Sequence, residues 1–221
     1  MAESDKSIGM IAPRMLRADN QQTIDNLGIV LTRSGIPFNR KRVNQRLFCP
    51  TGVALYSRSM LETVRDGNDY FDPEFFAYAE DFDLGFRAIL AGYLSAYSDE
   101  AIIYHKGSAS AIAMSDFNVF HTQRNVLWTW IKDMPCKNFL KNMPWLLAGQ
   151  LAIMVLYIFR KRPGVIGRAN FQAIRNFRRM YKKRRRIQAS MVISQSDLES
   201  HMEPSFILWE FAPKWFRRKA I

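Results

Sequence analysis

The chain has 221 residues, enough for one substantial domain with an appendage, and a formal net charge of +12 at pH 7. Its two cysteines, Cys49 and Cys136, are far apart and lack metal-ligand spacing, which argues against a disulfide framework and predicts free thiols in a reducing compartment. The polar first residues predict no signal peptide, and no glycine-rich phosphate-binding loop of the GxGxxG or GxxxxGK[ST] type occurs.

The positive charge is concentrated in the second half of the chain. Residues 1–116 carry 12 Lys/Arg against 15 Asp/Glu, a net charge of −3. Residues 117–221 carry 20 Lys/Arg against 5 Asp/Glu, a net charge of +15. This distribution predicts a neutral-to-acidic region joined near residues 115–117 to a basic region.

The elements predicted for the first region are short and alternate between strand and helix. In chain order they are a strand over 8–13, extended pieces within 24–32, a strand over 48–57 that leads into a helix through about Val64, a loop over 66–76, a helix over 79–91, and strands over 93–98 and 101–105. Helices alone are predicted from there to the end. Strands alternating with helices indicate an α/β domain followed by a helical appendage.

Three carboxylates stand within an aromatic stretch at residues 71–87, namely Glu80, Asp81 and Asp83. The aromatic residues predict burial, and a buried carboxylate is costly unless it is paired, bound to a metal or used in chemistry. Neighbouring acids also repel one another, which raises the pKa of at least one of them and makes it a plausible proton acceptor.

A helix through this stretch offers a purely structural alternative. Gly92 lies where a helix C-cap is expected, and an apolar stripe precedes it at helical spacing, formed by Ala79, Phe82, Phe86, Ile89 and Leu90. Acids in the first turn of such a helix complement its dipole, and Asp83 with Arg87 makes an ordinary i,i+4 ion pair that braces the helix.

The run FDPEFFAYAEDFDLGFRAILAGY resembles the acidic motif of family 2 glycosyltransferases, which are inverting enzymes with a GT-A fold. Further segments are similar to rhamnosyltransferase-like members: IGMIAPRML with IDNLGIVLTRSG, FCPTGVALYSRSML, SDEAIIYHKGSAS and QRNVLWTWIKDMP. The resemblance implies a partial GT-A sheet and transfer of a sugar, with inversion, from a nucleotide sugar to a lipid-linked or cell-surface polysaccharide acceptor.

The resemblance also implies roles for single residues. Asp81 maps to the general base that takes a proton from the acceptor hydroxyl, and Glu80 would neighbour the acceptor. His105, at the end of an apolar strand, matches the position that contacts the metal or the diphosphate, although a lone histidine there is often structural.

Two weaker assignments complete the set. Thr51 and Gly52 fall where the acceptor loop of the family approaches the base, although a plain turn accounts for them equally well. Arg124 suits a phosphate, but capping or ion pairing on a helix is an equal alternative.

The family's donor site is not recognisable in this sequence. The members of the family hold Mg²⁺ or Mn²⁺ and the nucleotide sugar with an N-terminal βαβ half that ends in an Asp-x-Asp motif. No such motif precedes the run at 71–87, and residues 1–7 resemble the end of the helix that follows that half. We therefore expect residues 1–116 to form the acceptor-binding and catalytic-base half alone. The alternative is a non-catalytic, membrane-associated remnant or partner subunit.

The second region predicts contact with a membrane. A helix is expected over 117–134, and the nearly apolar segment 144–159 falls short of the roughly 20 residues that span a bilayer. Positive charge flanks that segment on both sides, which favours a helix lying in or dipping into the interface. Residues 160–186 then carry twelve Lys/Arg and no acid, interleaved with apolar residues.

This pattern is typical of binding to anionic lipid head groups at the cytoplasmic membrane face, and the aromatic and basic tail 209–219 repeats it. One alternative is an apolar helix packed on the catalytic domain with a solvated basic face. A second alternative is that the basic surface binds nucleic acid, because the run KKRRR at 182–186 would fit phosphates. No recognised nucleic-acid-binding signature accompanies this run, so we expect no nucleic acid to bind.

Overall fold

The computed structural model of the chain describes residues 5–106 and 115–204. Within them the fold is mixed α/β, with about half of the residues in helices, as the sequence predicts at that level. The strands in chain order are β1 (Ile8–Arg17), β2 (Ile24–Asn26), β3 (Ile29–Leu31), β4 (Pro37–Asn39), β5 (Leu55–Tyr56) and β6 (Leu94–His105). The predicted lipid-contacting tail 209–219 lies outside the described residues.

Strand β1 is the centre of the main sheet. It pairs in parallel with β6 along its whole length, from Ile8 beside Leu94 to Arg17 beside His105. Its other edge is shared by two short antiparallel strands, β5 near its start and β2 near its end. Strands β3 and β4 form a separate two-stranded sheet.

Three of the helices in the described ranges begin at serine caps. The helices are α1 (Arg58–Val64), α2 (Glu80–Leu90), α3 (Asp116–Asp133), α4 (Cys136–Phe159), α5 (Pro163–Arg175), α6 (Phe177–Ala189) and α7 (Gln195–His201), and a short 3₁₀ turn covers Pro73–Phe75. Serine hydroxyls cap α1, α3 and α7 by accepting a backbone N–H, and α7 has a full capping box. Helix α2 ends at the expected glycine, because Gly92 adopts a positive φ of 88°.

Two strand predictions differ from the structure. Residues 94–105 form one continuous strand instead of two, because β6 follows β1 through a register shift beside Pro13 and Arg14. The strand expected over 48–57 is reduced to Leu55–Tyr56. Its first residues instead make an isolated bridge in which the backbone N–H of Ile29 donates to the Cys49 carbonyl, 2.7 Å away.

The hydrophobic core crosses the charge boundary at residue 116. Its buried residues run from Met10 on β1 to Met202 after α7, and Trp130 of α3 is among the largest. The Trp130 indole N–H donates to the Gly35 carbonyl at 2.7 Å, and the ring lies so close to Gly35 that any side chain there would overlap it. The two predicted regions therefore differ in secondary structure and charge but share one core.

Helix α4 is longer than the apolar segment 144–159. It begins at Cys136 and continues through Pro144 for 24 residues. The prediction that this helix is too short to span a bilayer is therefore wrong. Its polar first turns are helical because Asn138 and Asn142 are buried, and Asn138 donates to the Gln195 carbonyl of α7 at 3.1 Å. By length and composition alone, α4 is the one helix in the described ranges that could cross a membrane.

The basic segment 160–186 forms the two helices α5 and α6. Both pack on α3, burying Ala169, Ala173 and Met180, while most of their Lys/Arg side chains stay in solvent. This part of the chain therefore has apolar faces packed on the domain and a solvated basic face, as in the structural alternative considered above.

Candidate active site around Asp81

Asp81 lies in the first turn of α2, against the segment that precedes α1. The approach is close because Gly85, one turn further along α2, faces Cys49: a Cβ atom on Gly85 would lie 2.3 Å from the Cys49 Cβ atom. This contact brings Gly52 to the base, since a Cβ atom on Gly52 would lie 3.9 Å from Asp81 Oδ2. The structure thus brings together two residues that the sequence assigned to one site.

The Asp81 carboxyl group is set up to hold a proton near neutral pH. Burial, followed by the neighbouring charge of Glu80, raises its pKa from 3.8 to about 6. The backbone amides of Phe82 and Gly52 oppose this rise, and the Phe82 N–H donates to Asp81 Oδ1 at 2.7 Å. A carboxyl group with this pKa is a competent general base at neutral pH.

Two buried polar atoms near Asp81 lack a hydrogen-bond partner. Within the described part of the chain these are Glu80 Oε2 and the Tyr56 hydroxyl. Burial and then the nearby Cys49, Asp81 and Glu80 raise the pKa of Tyr56, which keeps its phenol protonated. The surroundings of Asp81 are therefore polar as well as buried.

The loop before α2 has an unusual backbone. Phe76, Tyr78 and Ala79 have positive φ angles of 63°, 66° and 62°, which cost non-glycine residues on the order of 1–3 kcal/mol each. The fully buried Asn125 of α3 holds this loop: its side-chain amide lies 3.0, 2.8 and 2.7 Å from the carbonyl oxygens of Phe75, Ala77 and Tyr78.

Arg124 also holds this loop. Its guanidinium is buried, donates to the Phe75 carbonyl at 3.0 Å and to Asn125 Oδ1 at 2.9 Å, and lies over the Trp128 ring. These contacts give Arg124 a structural position on the loop, which is the kind of role that the sequence left open beside a phosphate contact.

Asp83 braces α2 from inside the core. It forms the expected i,i+4 pair with Arg87, whose Nε lies 3.1 Å from Asp83 Oδ2. Its other oxygen is 2.6 Å from the ammonium of Lys132, which also reaches Asp72 at 2.8 Å. Burial opposes ionisation, but Lys132 and Arg87 hold the pKa of Asp83 below its usual value.

The same buried cluster contains a neutral acid. Burial and the charge of Asp83 raise the pKa of Asp133 well above its usual value, so the cluster stores one proton on Asp133 while Asp83 stays ionised. The cluster extends to α6, because Lys183 lies 2.6 Å from Asp72. It therefore ties α2, α3 and α6 together beneath the site.

His105 and Thr51 lie on one face of the sheet. Thr51 Oγ1 contacts the sulfur of Met15 at 3.6 Å, and Met15 pairs with Ile103, two residues before His105. His105 Nδ1 lies 2.6 Å from Asp25 Oδ2. The described residues contain no group of three or more His, Cys, Asp or Glu side chains that could hold a metal ion.

The sequence did not single out Tyr56, Asn125 or Lys132. The sequence offers one indication for Lys132, because a lysine that lies close to Trp130 and Met134 on a helix needs a buried partner.

A scan of protein-family models finds no match to this chain, and a search of curated proteins finds no significant match.

Proposed function

We propose that this chain carries the acceptor-binding and catalytic-base part of an inverting, family 2-like glycosyltransferase. The observation that carries the proposal is the carboxyl group of Asp81, which has a pKa of about 6 and lies beside the Gly52 loop. A general base requires a proton affinity near the working pH, and this pKa supplies it.

In the proposed step, the acceptor hydroxyl donates a hydrogen bond to ionised Asp81. The hydroxyl oxygen attacks the anomeric carbon of the nucleotide sugar from the face opposite the diphosphate. The new glycosidic bond forms as the bond to the diphosphate breaks, and the proton passes to Asp81, which then releases it to water. Glu80, beside Asp81 in the sequence, would neighbour the acceptor.

The donor side of the reaction requires groups other than those described. His105 with Asp25 offers one imidazole and one carboxylate toward the diphosphate or its metal, and phosphate oxygens and water commonly complete the coordination of Mg²⁺. A donor-binding part, on this polypeptide or on a partner, would supply the rest.

We further propose that the protein works at the cytoplasmic face of a membrane with an anionic surface. Helix α4 buries one face and exposes large apolar side chains on the others, including Leu147, Leu151 and Phe159, which are 62%, 64% and 82% exposed. Exposed apolar residues in such number are typical of an interaction surface. The solvated basic side chains of α5 and α6 favour anionic head groups.

The test replaces the proposed base in the full-length protein in its own membranes. A strain lacking the chain is complemented with the wild type, Asp81→Asn or the surface control Asp99→Asn. Washed membranes receive radiolabelled UDP-glucose, UDP-galactose, GDP-mannose or dTDP-rhamnose, and label is counted in the lipid and polysaccharide fractions. We expect transfer by the wild type and the control, and a loss of at least about 100-fold in Asp81→Asn.

Full transfer by Asp81→Asn would contradict the proposal. The competing function, a membrane-associated partner without chemistry of its own, predicts that Asp81→Asn supports the same transfer as the wild type while deletion of the chain abolishes it.

A further inference from the structure

We propose that Phe76, Tyr78 and Phe117 form a stacking platform for a sugar ring of the acceptor. The inference rests on the proposed function of Asp81 and adds the chemical class that the site recognises: a glycan with a pyranose ring presented through its apolar C–H face.

The platform is an exposed cluster of rings on the loop before α2 and the start of α3. Phe76 is 79% exposed and Phe117 is 49% exposed. The Phe117 ring centroid lies 6.2 Å from those of Phe76 and Tyr78, with interplanar angles of 81° and 66°. Because the rings meet edge to face, they form a corner, and the His121 ring packs against Phe117 with 4.4 Å between centroids.

The protein keeps these rings exposed against the preferences of both side chain and backbone. Phe76 leaves most of its apolar surface in water, so it contributes little free energy through burial. Its positive φ is unfavourable as well. Two residues of α3, Arg124 and Asn125, nevertheless hold the loop carbonyls in this conformation. Strained backbone held in this manner by its surroundings is characteristic of functional sites.

The platform adjoins the proposed base. Tyr78 precedes Asp81 by three residues, which limits their Cα separation to about 11 Å. Glu80 lies between them in the sequence. Stacking rings that are followed in the sequence by two carboxylates match a sugar, which has an apolar face and a rim of hydroxyl donors.

The surrounding charge argues against a lipid head group as the occupant. Phe76 and Tyr78 are followed in the sequence by the carboxylates Glu80 and Asp81, and the guanidinium of Arg124 is buried and turned toward backbone carbonyls. None of these three groups offers an exposed cation to a lipid phosphate, whereas an uncharged glycan needs none.

The experiment measures glycan binding by the full-length chain, labelled with a fluorophore and kept in mild detergent. The probe is a printed array with rhamnose-, glucose-, galactose- and mannose-terminated oligosaccharides. The variants are Phe76→Ala, Phe76→Leu, Phe76→Tyr and Phe117→Ala, with Phe171→Ala as a matched control because Phe171 is 66% exposed on α5 and outside the ring cluster.

We expect the wild type to bind a subset of glycans, and Phe76→Ala, Phe76→Leu and Phe117→Ala to bind them about tenfold more weakly. Phe76→Tyr and Phe171→Ala should bind as the wild type does. Binding of no glycan by the wild type, or equal binding by Phe76→Leu, would overturn the proposal. Loss of binding to anionic vesicles in Phe76→Ala, with glycan binding intact, would also overturn it.

Asp81→Asn separates this inference from the proposed function. If that variant loses transfer while Phe76→Ala binds glycans normally, the platform fails and the catalytic assignment stands. If it keeps full transfer while glycan binding depends on Phe76, the catalytic assignment fails and the platform stands.

Discussion

The side-chain amide of Asn125 lies 2.7 Å from the carbonyl oxygen of Tyr78, which ties α3 to the loop before the proposed base. Two more carbonyls of the same loop face this amide. The left-handed conformation at Tyr78 and Ala79 therefore depends on a residue far away in the sequence, and so does the position at which α2 begins.

Asn125→Ala should lower the free energy of unfolding by roughly 1–3 kcal/mol, because it leaves buried loop carbonyls without a donor. Urea unfolding followed by circular dichroism measures the change. The exposed Asn68→Ala is the matched control and should change stability by less than about 0.5 kcal/mol. An Asn125→Ala protein as stable as this control would show that the amide does not hold the loop.

Asp81→Asn should stabilise the folded protein at neutral pH. Folding raises the pKa of Asp81 from 3.8 to about 6, so the folded state holds this proton more tightly than the unfolded state. Well below pH 4, Asp81 is protonated in both the folded and the unfolded state, and it does not lower the free energy of unfolding. As the pH rises through about 6 the folded protein must ionise it, and up to roughly 3 kcal/mol is lost.

The free energy of unfolding of Asp81→Asn should therefore exceed that of the wild type at neutral pH, and the difference should shrink toward pH 4. Denaturant titrations across this range measure it, with Asp99→Asn as the surface control. Lower stability of Asp81→Asn at neutral pH would contradict the burial of this carboxyl group.

Lys132→Ala should be among the most damaging single changes in the chain. It leaves Asp72 and Asp83 buried with one cation fewer, and breaking a buried ion pair in this manner costs about 3–5 kcal/mol. The comparison is Lys141→Ala, which removes a solvent-exposed pair with Glu199 and should cost at most about 1 kcal/mol. Equal urea midpoints for the two variants would rule out a central role for the buried cluster.

Leu147→Ser combined with Leu151→Ser should weaken binding to anionic vesicles by tenfold or more, since burying a leucine contributes about 1.5–3 kcal/mol. Flotation with phosphatidylglycerol-containing vesicles measures it. Val43→Ser is the control, since Val43 is 61% exposed on a loop remote from α4 in sequence. Unchanged flotation of the double variant would exclude α4 as the contact surface, and binding of neutral vesicles at equal strength would exclude the basic helices.

The sequence predicts the local features of the site well. The apolar stripe, the acids of the first turn and Gly92 place α2 within one residue at each end. These are effects between residues three or four apart, for which periodicity and capping are sufficient. The approach of Gly52 to Asp81 came from the family resemblance instead.

The long-range features were not predictable by the same reasoning. Lys132 meets Asp72 across 60 residues, and Asn125 meets its loop across nearly 50. Neither spacing leaves a periodic signal. The length of α4 was missed for a similar reason, because its polar first turns are stabilised by contacts with α7 and not by their own hydrophobicity.

The shared core limits which parts of the chain can be exchanged between related proteins. Trp130 of α3 packs onto Gly35, and Gly149 of α4 lies so close to Ser34 that an added Cβ atom would be 3.2 Å from the serine Cβ atom. Helix α4, which is proposed to contact the membrane, is thus fitted to the same loop as Trp130 of the core. Recombination between related chains at residue 116 would separate surfaces that must match, so the two parts are expected to be inherited as one unit.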